Sequence, residues 1–389
     1  MKHLLKTLKL ILATSVFATF FCLPAVAQEA IKIGLVAPMS GTFALYGQGF
    51  YHSMQAYMAN YGDTVAGKKV EIIVRDNTTN TPENAKRLAQ ELVTRERVDF
   101  LAGFALSPDA LSVASLSTQA KRPTIVMLAA ASGLTAKSPY LTRVSYSNTQ
   151  TSVTMAKWAY KNGLRKVYTV VSDYAPGIDC EVAFQKAFTS LGGKIIGNSR
   201  MPLANLDYAP YVQRLKESGA DAAFLFVPSG DPMVSFMKNF VERGLPQTGM
   251  KLLTTTDLAE EYIKPMGDTA VHITNAIQYY DTLDNEENAK YKAAYLKIAG
   301  KNPGAIALGG YDGMAVIYEV ARKLDGKLDP EKVMATMKGI KIKSPRGDLT
   351  IDPETRDAVA NMYVAKIEKR GNQYVPVVID TFTNVKEGQ

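Results

Sequence analysis

Two periodicities alternate along this chain. Short runs rich in Val, Ile and Leu occur at "IKIGLVAP", "KKVEIIVRD", "VDFLAGF" and "RPTIVMLAA", and again at "KVYTVVSD", "GKIIGNSRM", "DAAFLFVP" and "GMKLLTTT". Between them lie amphipathic stretches with helical spacing. In "NTPENAKRLAQELVTRERVD", Thr81 is placed to cap, Pro82 takes the first helical position, and Leu88, Leu92 and Val93 form a stripe. "DYAPYVQRLKESGAD" repeats the pattern with Tyr211, Leu215 and a closing Gly219. Apolar strands alternating with helices predict βαβ units around parallel sheets buried on both faces.

The series runs twice, from Ile31 to about Ser145 and from "GLRKVYTVVSD" to about "AIQYYD". Two doubly wound lobes are therefore expected. The tail differs. Helices are predicted at "GYDGMAVIYEVARKL" and "DPEKVMATMKGI", and antiparallel strands in "GDLTIDPETRDAVANMYVAKIEK" and "QYVPVVIDTF". No low-complexity linker separates the halves, so several short crossings should join them.

The amino terminus changes this picture only by shortening it. Lys2, Lys6 and Lys9 precede an apolar run from Leu10 to Leu23, and Ala25-Val26-Ala27 supplies a small-x-small cleavage pattern. The run falls short of the ~20 residues of a spanning helix. Residues 1–27 are read as a signal peptide, and Phe20-Phe21 before Cys22 argue against a lipid-anchored cysteine. Roughly 360 residues remain, two domains or slightly more at about 150 each. Only Cys180 is then left, which excludes an internal disulfide. The net charge of +8 is dispersed among acids with no basic block, which discounts nucleic acid as a partner.

Enzymatic motifs are lacking. Gly41, Gly47 and Gly49 do not form G-x-G-x-x-G, and no Walker lysine follows. His52 and His272 belong to no metal-binding spacing, and no Ser sits in G-x-S-x-G. His52 reads as a structural helix residue and Cys180 as a small core residue, although Cys180 follows "APGID" near a helix start. No metal, cofactor or catalytic group is expected.

The strand-end loops remain. They read "PMSGTFALYG", "GFALSPDA", "MLAAASGLT", "SDYAPGID", "VPSGDPM" and "TTTDLAEE". Doubly wound sheets bind ligands outside the carboxyl ends of their strands. Small and hydroxylic residues there let backbone amides approach a ligand, and helix starts attract an anion. Ser107 before Pro108 and Ser132 before Gly133 suit that role, although either could be an ordinary helix cap. The first loop adds Phe43, Leu45 and Tyr46, large apolar residues out of place on a surface turn.

These stretches, with "RDNTTNTPENAKRLAQELV", "GGYDGMAVIYEV" and "SPRGDLTIDPETRDAVANMYV", resemble the periplasmic leucine/isoleucine/valine-type solute-binding proteins of ABC transporters. The likeness spans essentially all of the chain after residue 27. It implies an α/β protein of two doubly wound lobes with mainly parallel central sheets joined by three crossings. Residues 28–147 with 279–343 would form the N-terminal lobe, and 148–278 with 344–389 the C-terminal lobe. In the family a Ser and backbone groups hold the ligand carboxylate; those positions match Ser107 and the run Ala129, Ala130, Ala131 and Ser132. Tyr46 matches an aromatic beside the ligand, and Tyr174 lies in the corresponding loop of the second lobe.

Two loops depart from the leucine-type pattern. Ser229 stands where leucine binders often show a Tyr, and Thr256 with Asp257 stand where they use a Glu for the ligand ammonium. "DYAPG" and "VPSGDP" also look like relatives that bind aromatic carboxylates. Asp257 would meet the ammonium of an amino acid, would have no cation to meet in an aromatic acid, or would simply cap a helix starting at Leu258. The resemblance implies a periplasmic, monomeric, non-enzymatic receptor. It would deliver a small carboxylate-bearing solute, a hydrophobic amino acid or an aromatic carboxylate, to an ABC permease in the inner membrane. The other reading is a sensing module of the same fold that reports an amide or amino acid to a regulator.

Overall fold

The computed structural model describes residues 30–78, 81–203 and 207–388; the signal-peptide reading of residues 1–27 lies outside them. The first sheet contains β1 (Ile31–Ala37), β2 (Thr64–Val65), β3 (Lys68–Asp76), β4 (Phe100–Gly103), β5 (Thr124–Val126) and β6 (Leu141–Arg143). Its order is β2-β3-β1-β4-β5-β6, parallel except for the β2–β3 edge. The second contains β7 (Lys166–Ser172), β8 (Lys194–Met201), β9 (Ala222–Phe226), β10 (Lys251–Thr254) and β11 (Ile273–Ile277) in the parallel order β11-β10-β9-β7-β8. Antiparallel strands β14 (Ala358–Arg370) and β15 (Gln373–Val385) close its far edge.

The central strands are apolar without alternation because both their faces are covered. In the first lobe, Ile33, Leu35, Phe50 and Met54 pack with Tyr311 and Val316 on one face, and Leu88, Leu92, Leu101 and Val113 fill the other. In the second, Leu225, Phe236 and Leu252 lie on one face, and Trp158, Phe184, Phe188 and Phe224 on the other. Thr81 caps the helix Pro82–Glu91, its Oγ1 accepting from the Asn84 amide at 3.4 Å. Cys180 is a fully buried free thiol, held protonated first by that burial.

The chain passes between lobes after β6, returns after β11, and passes again through β12 (Lys341–Ile342) and β13 (Leu349–Ile351) into β14. One buried guanidinium touches all three passages. Arg346 donates to the carbonyls of Val144 and of Ser145 (3.3 Å) and to Gln278 Oε1, and pairs with Asp312 at 3.0 Å. Both ionic side chains are fully buried. Burial pushes the Asp312 carboxyl up to about 6, with the Arg346 charge opposing it. No helix among the described residues is long and apolar enough to cross a membrane.

Candidate functional site

The carboxyl ends of both sheets face one cavity of about 440 Å³ between the lobes. Each strand-end loop contributes to it, and two glycines bring the loops close. A Cβ on Gly47 would lie 2.2 Å from Pro38 O, and one on Gly177 2.1 Å from Ser172 O. Only a bare α-carbon lets each following helix fold back on its strand, and this sets Tyr46 and Tyr174 in the cavity wall.

Of the residues singled out from sequence, Tyr46, Ser107, Ala130, Tyr174, Ser229, Thr256 and Asp257 line this cavity. Ala129, Ala131 and Ser132 do not reach its wall. Ala129 is buried behind it, and the Ala131 amide donates to Ser107 Oγ at 3.1 Å, tying two first-lobe loops together. Ser132 is turned toward the other lobe. Its amide and its hydroxyl each donate to Asp179 Oδ2 at 3.0 Å, and Asn148 Nδ2 donates to the same oxygen at 3.1 Å.

The loop holding Phe43, Leu45 and Tyr46 divides its side chains. Leu45 faces solvent, whereas Phe43 and Tyr46 line the cavity with their rings 5.4 Å apart. Tyr146, Tyr174 and Phe226 continue the aromatic wall, the last two 6.3 Å apart and tilted by 30°. Burial pushes the Tyr46, Tyr146 and Tyr174 hydroxyls up, so all three stay protonated. Tyr46 feels Asp257 as a further upward push, opposed by a hydrogen bond with Ser229. Ser229 Oγ in turn donates to the Asp257 carbonyl at 3.1 Å, and Thr256 Oγ1 to Val227 O at 2.8 Å.

Among the described residues, Asp257 is the one acid lining the cavity, and no Lys or Arg lines it. The short helix here begins at Glu260, not Leu258. The Asp257 carboxylate spans the lobes instead, accepting from Ala305 N at 3.4 Å and Ile306 N at 3.2 Å. Burial pushes this carboxyl up to about 7; the amides of Ile306, Ala305 and Ala259 oppose the shift and Glu261 adds to it.

Sequence reasoning passed over Tyr146, Phe226, Leu128 and Asn148, which also line the cavity. Phe226 ends an apolar strand and Tyr146 sits in a crossing, so neither shows a periodicity pointing to a ligand. A second hollow of about 330 Å³ opens elsewhere at the lobe junction, among Glu260, Lys264, Asp281 and Tyr374. It lacks the small-residue strand ends that let backbone amides face a ligand. Among the described residues, no group of His, Cys, Asp and Glu could hold a metal ion.

Comparison with known proteins agrees with this fold. A family model described as periplasmic binding protein matches residues 30–372. The chain is 41% identical to Leu/Ile/Val-binding protein homolog 6 of Brucella melitensis biotype 1, over 91% of this chain and 92% of the relative. It is 42% identical, with a TM-score of 0.86, to an ABC-transporter solute-binding protein of Rhodopseudomonas palustris BisB5 solved with 3,4-dihydroxybenzoic acid. A second R. palustris solute-binding protein, solved with 4-hydroxybenzoate, is 38% identical with a TM-score of 0.87. Both alignments cover 92% of this chain and 99% of the other.

Proposed function

The chain belongs to the periplasmic binding protein family, and from that premise we propose that it captures an aromatic carboxylate for an ABC transporter. The lobes, 28–147 with 279–343 and 148–278 with 344–389, close on the solute, and the monomer hands it to the inner-membrane permease. It acts as a receptor rather than an enzyme, exported by the signal peptide of residues 1–27.

The observation that carries this reading is the wall of five aromatic rings, Phe43, Tyr46, Tyr146, Tyr174 and Phe226, drawn from both sides of the cleft. Faces and edges of such rings suit a planar aromatic solute. The volume falls in the range of small-molecule pockets, about 300–1,000 Å³. With no Lys or Arg among the described residues of the wall, the carboxylate rests on neutral donors. Ser107 Oγ already accepts from Ala131, so its own proton is directed to the ligand. The ligands of the two R. palustris relatives support the same class.

A hydrophobic amino acid is the second reading. It is favoured by Asp257 in the wall and by the Leu/Ile/Val-binding relatives. Against it, the Asp257 oxygens are already engaged by two amides of the first lobe. Titration calorimetry with 4-hydroxybenzoate, 3,4-dihydroxybenzoate, leucine, isoleucine and valine separates the two. The aromatic acids should bind at one site per chain and the amino acids weakly or not at all. Tighter binding of leucine than of either aromatic acid would reverse the assignment.

A further inference from the structure

The first-lobe loop at the carboxylate end offers a nearly complete account of its backbone polar groups. A backbone group that borders a cavity and has no partner in the protein is available to a ligand. The Ala129 amide donates to Phe104 O at 3.1 Å, and the Ala130 carbonyl accepts from the Asn148 amide at 2.8 Å. The Ala131 and Ser132 amides go to Ser107 and Asp179. The carbonyls of Ala129 and Ala131 both accept from one nitrogen, Arg143 Nη1, at 3.3 and 2.8 Å. Among the described residues, the Ala130 amide alone of these groups has no protein partner, and Ala130 lines the cavity.

We propose that Arg143 is the positioning residue for ligand carboxylate recognition. Its guanidinium grips the Ala129 and Ala131 carbonyls from behind and thereby turns the Ala130 amide into the cleft. In a planar trans peptide the C=O of one residue and the N–H of the next point in opposite directions. Holding the Ala129 carbonyl toward Arg143 therefore aims the Ala130 N–H away from it, at the ligand.

Arg143 is fully buried and is itself fixed. Its Nε and Nη2 each lie 2.8 Å from Asp357 Oδ1, and Thr135 Oγ1 donates to Asp357 Oδ2 at 3.0 Å. Asp357 immediately precedes β14, so the carboxylate end is tied to the third passage between the lobes. The charge of Arg143 is not what attracts the ligand. Asp357 cancels it, and Glu387 lies 3.7 Å away on the other side. The planar fork matters, because a lysine ammonium cannot bind Asp357 through two nitrogens and reach two carbonyls with a third.

This inference deepens the proposed function but needs only its carboxylate, which aromatic acids and amino acids share. The test measures acids against their carboxamide twins (4-hydroxybenzoate with 4-hydroxybenzamide, leucine with leucinamide) by calorimetry. The parent protein should prefer the acid. Arg143→Lys should lose about ten- to a hundredfold in acid affinity, the range for a hydrogen bond to a charged group. Carboxamide affinity should hardly change, so that the preference collapses.

Should Arg143→Lys fold poorly, the double variant Arg143→Met/Asp357→Asn removes both members of the fully buried pair, leaving only Glu387 without its ionic partner, and it should show the same collapse. A folded variant of either kind that keeps the parent's acid preference overturns the role of Arg143. So does one that loses acid and amide equally, as a merely structural role would require. A parent protein with no preference for the acid overturns the carboxylate reading itself, and this is visible before any variant is made.

Discussion

Replacing Asp257 by Asn probes both the energetics of the cleft and the class of its ligand. The Asp257 carboxyl ionises near 3.8 in an unfolded chain but near 7 in the folded protein, chiefly because burial strips water from its charge. Between those values the folded state keeps a proton that the unfolded chain has released. Rising pH therefore draws the equilibrium toward unfolding. The favourable contribution of Asp257 is complete below about pH 4, declines through the window to about pH 7, and is flat above it. At about 1.4 kcal/mol per unit, the span corresponds to roughly 4 kcal/mol.

Asparagine does not ionise, and its one carbonyl oxygen can accept from only one of the Ala305 and Ile306 amides, which donate to different oxygens of Asp257. At pH 4.5 the variant should equal the parent or fall about 1 kcal/mol below it, the cost of one imperfect hydrogen bond. At pH 8 it should be the more stable protein. Even a third of the full span would raise its melting temperature by a few degrees relative to the parent, at about 2–4 °C per kcal/mol. Thermal melts at the two pH values read this directly. Parallel curves for the two proteins would mean that Asp257 is not desolvated in the way its surroundings require. Binding supplies the second readout. An aromatic carboxylate should bind the variant as tightly as the parent or more so, since a like charge has gone. A leucine affinity that falls more than a hundredfold would instead match the loss of a buried ionic partner and decide for an amino acid.

Ser107→Ala should weaken carboxylate binding about ten- to a hundredfold by calorimetry while lowering the melting temperature little, because its hydroxyl accepts only one internal bond, from Ala131. Normal binding with early melting would make Ser107 a structural residue. Arg346→Met should cost about 3–5 kcal/mol in urea unfolding by stranding the fully buried Asp312, and Arg346→Met/Asp312→Leu should recover most of that. Failure to recover would locate the cost in the bonds to Val144, Ser145 and Gln278.

What could be read from the sequence divides according to how local its physical cause is. The strand-helix alternation was legible because a strand covered on both faces must be apolar throughout, and the helix cap at Thr81 because capping acts within four residues. The small-residue part of the cavity wall was legible for a related reason. Ser107 and Ala130 belong to strand-end loops built of small residues, and a run of small side chains at that place is what close approach to the backbone requires. Arg143 and Arg346 were not legible, because an arginine in a loop or at a strand end ordinarily reads as solvated. Their partners stand far off in sequence: Asp357 is 214 residues from Arg143, and Val144 is 202 from Arg346.

Asp257 lies between these cases. Its place at a strand end marked it as a cleft residue, which it is, but its partners at Ala305 and Ile306 come from the other lobe. A sequence shows that an acid is present but not whether its charge is already answered. Two amides from the first lobe already meet the carboxylate, which leaves less of it for an ammonium. The aromatic rings beside it line the cavity and can contact an uncharged ring. The same engagement ties Asp257 to lobe closure. The two hydrogen bonds it accepts from backbone amides join a loop of the second lobe to the segment preceding the helix Leu308–Lys323 of the first. A ligand that demanded this carboxylate would thus compete with an interlobe contact, whereas an aromatic acid held at Ser107 and Ala130 leaves it intact.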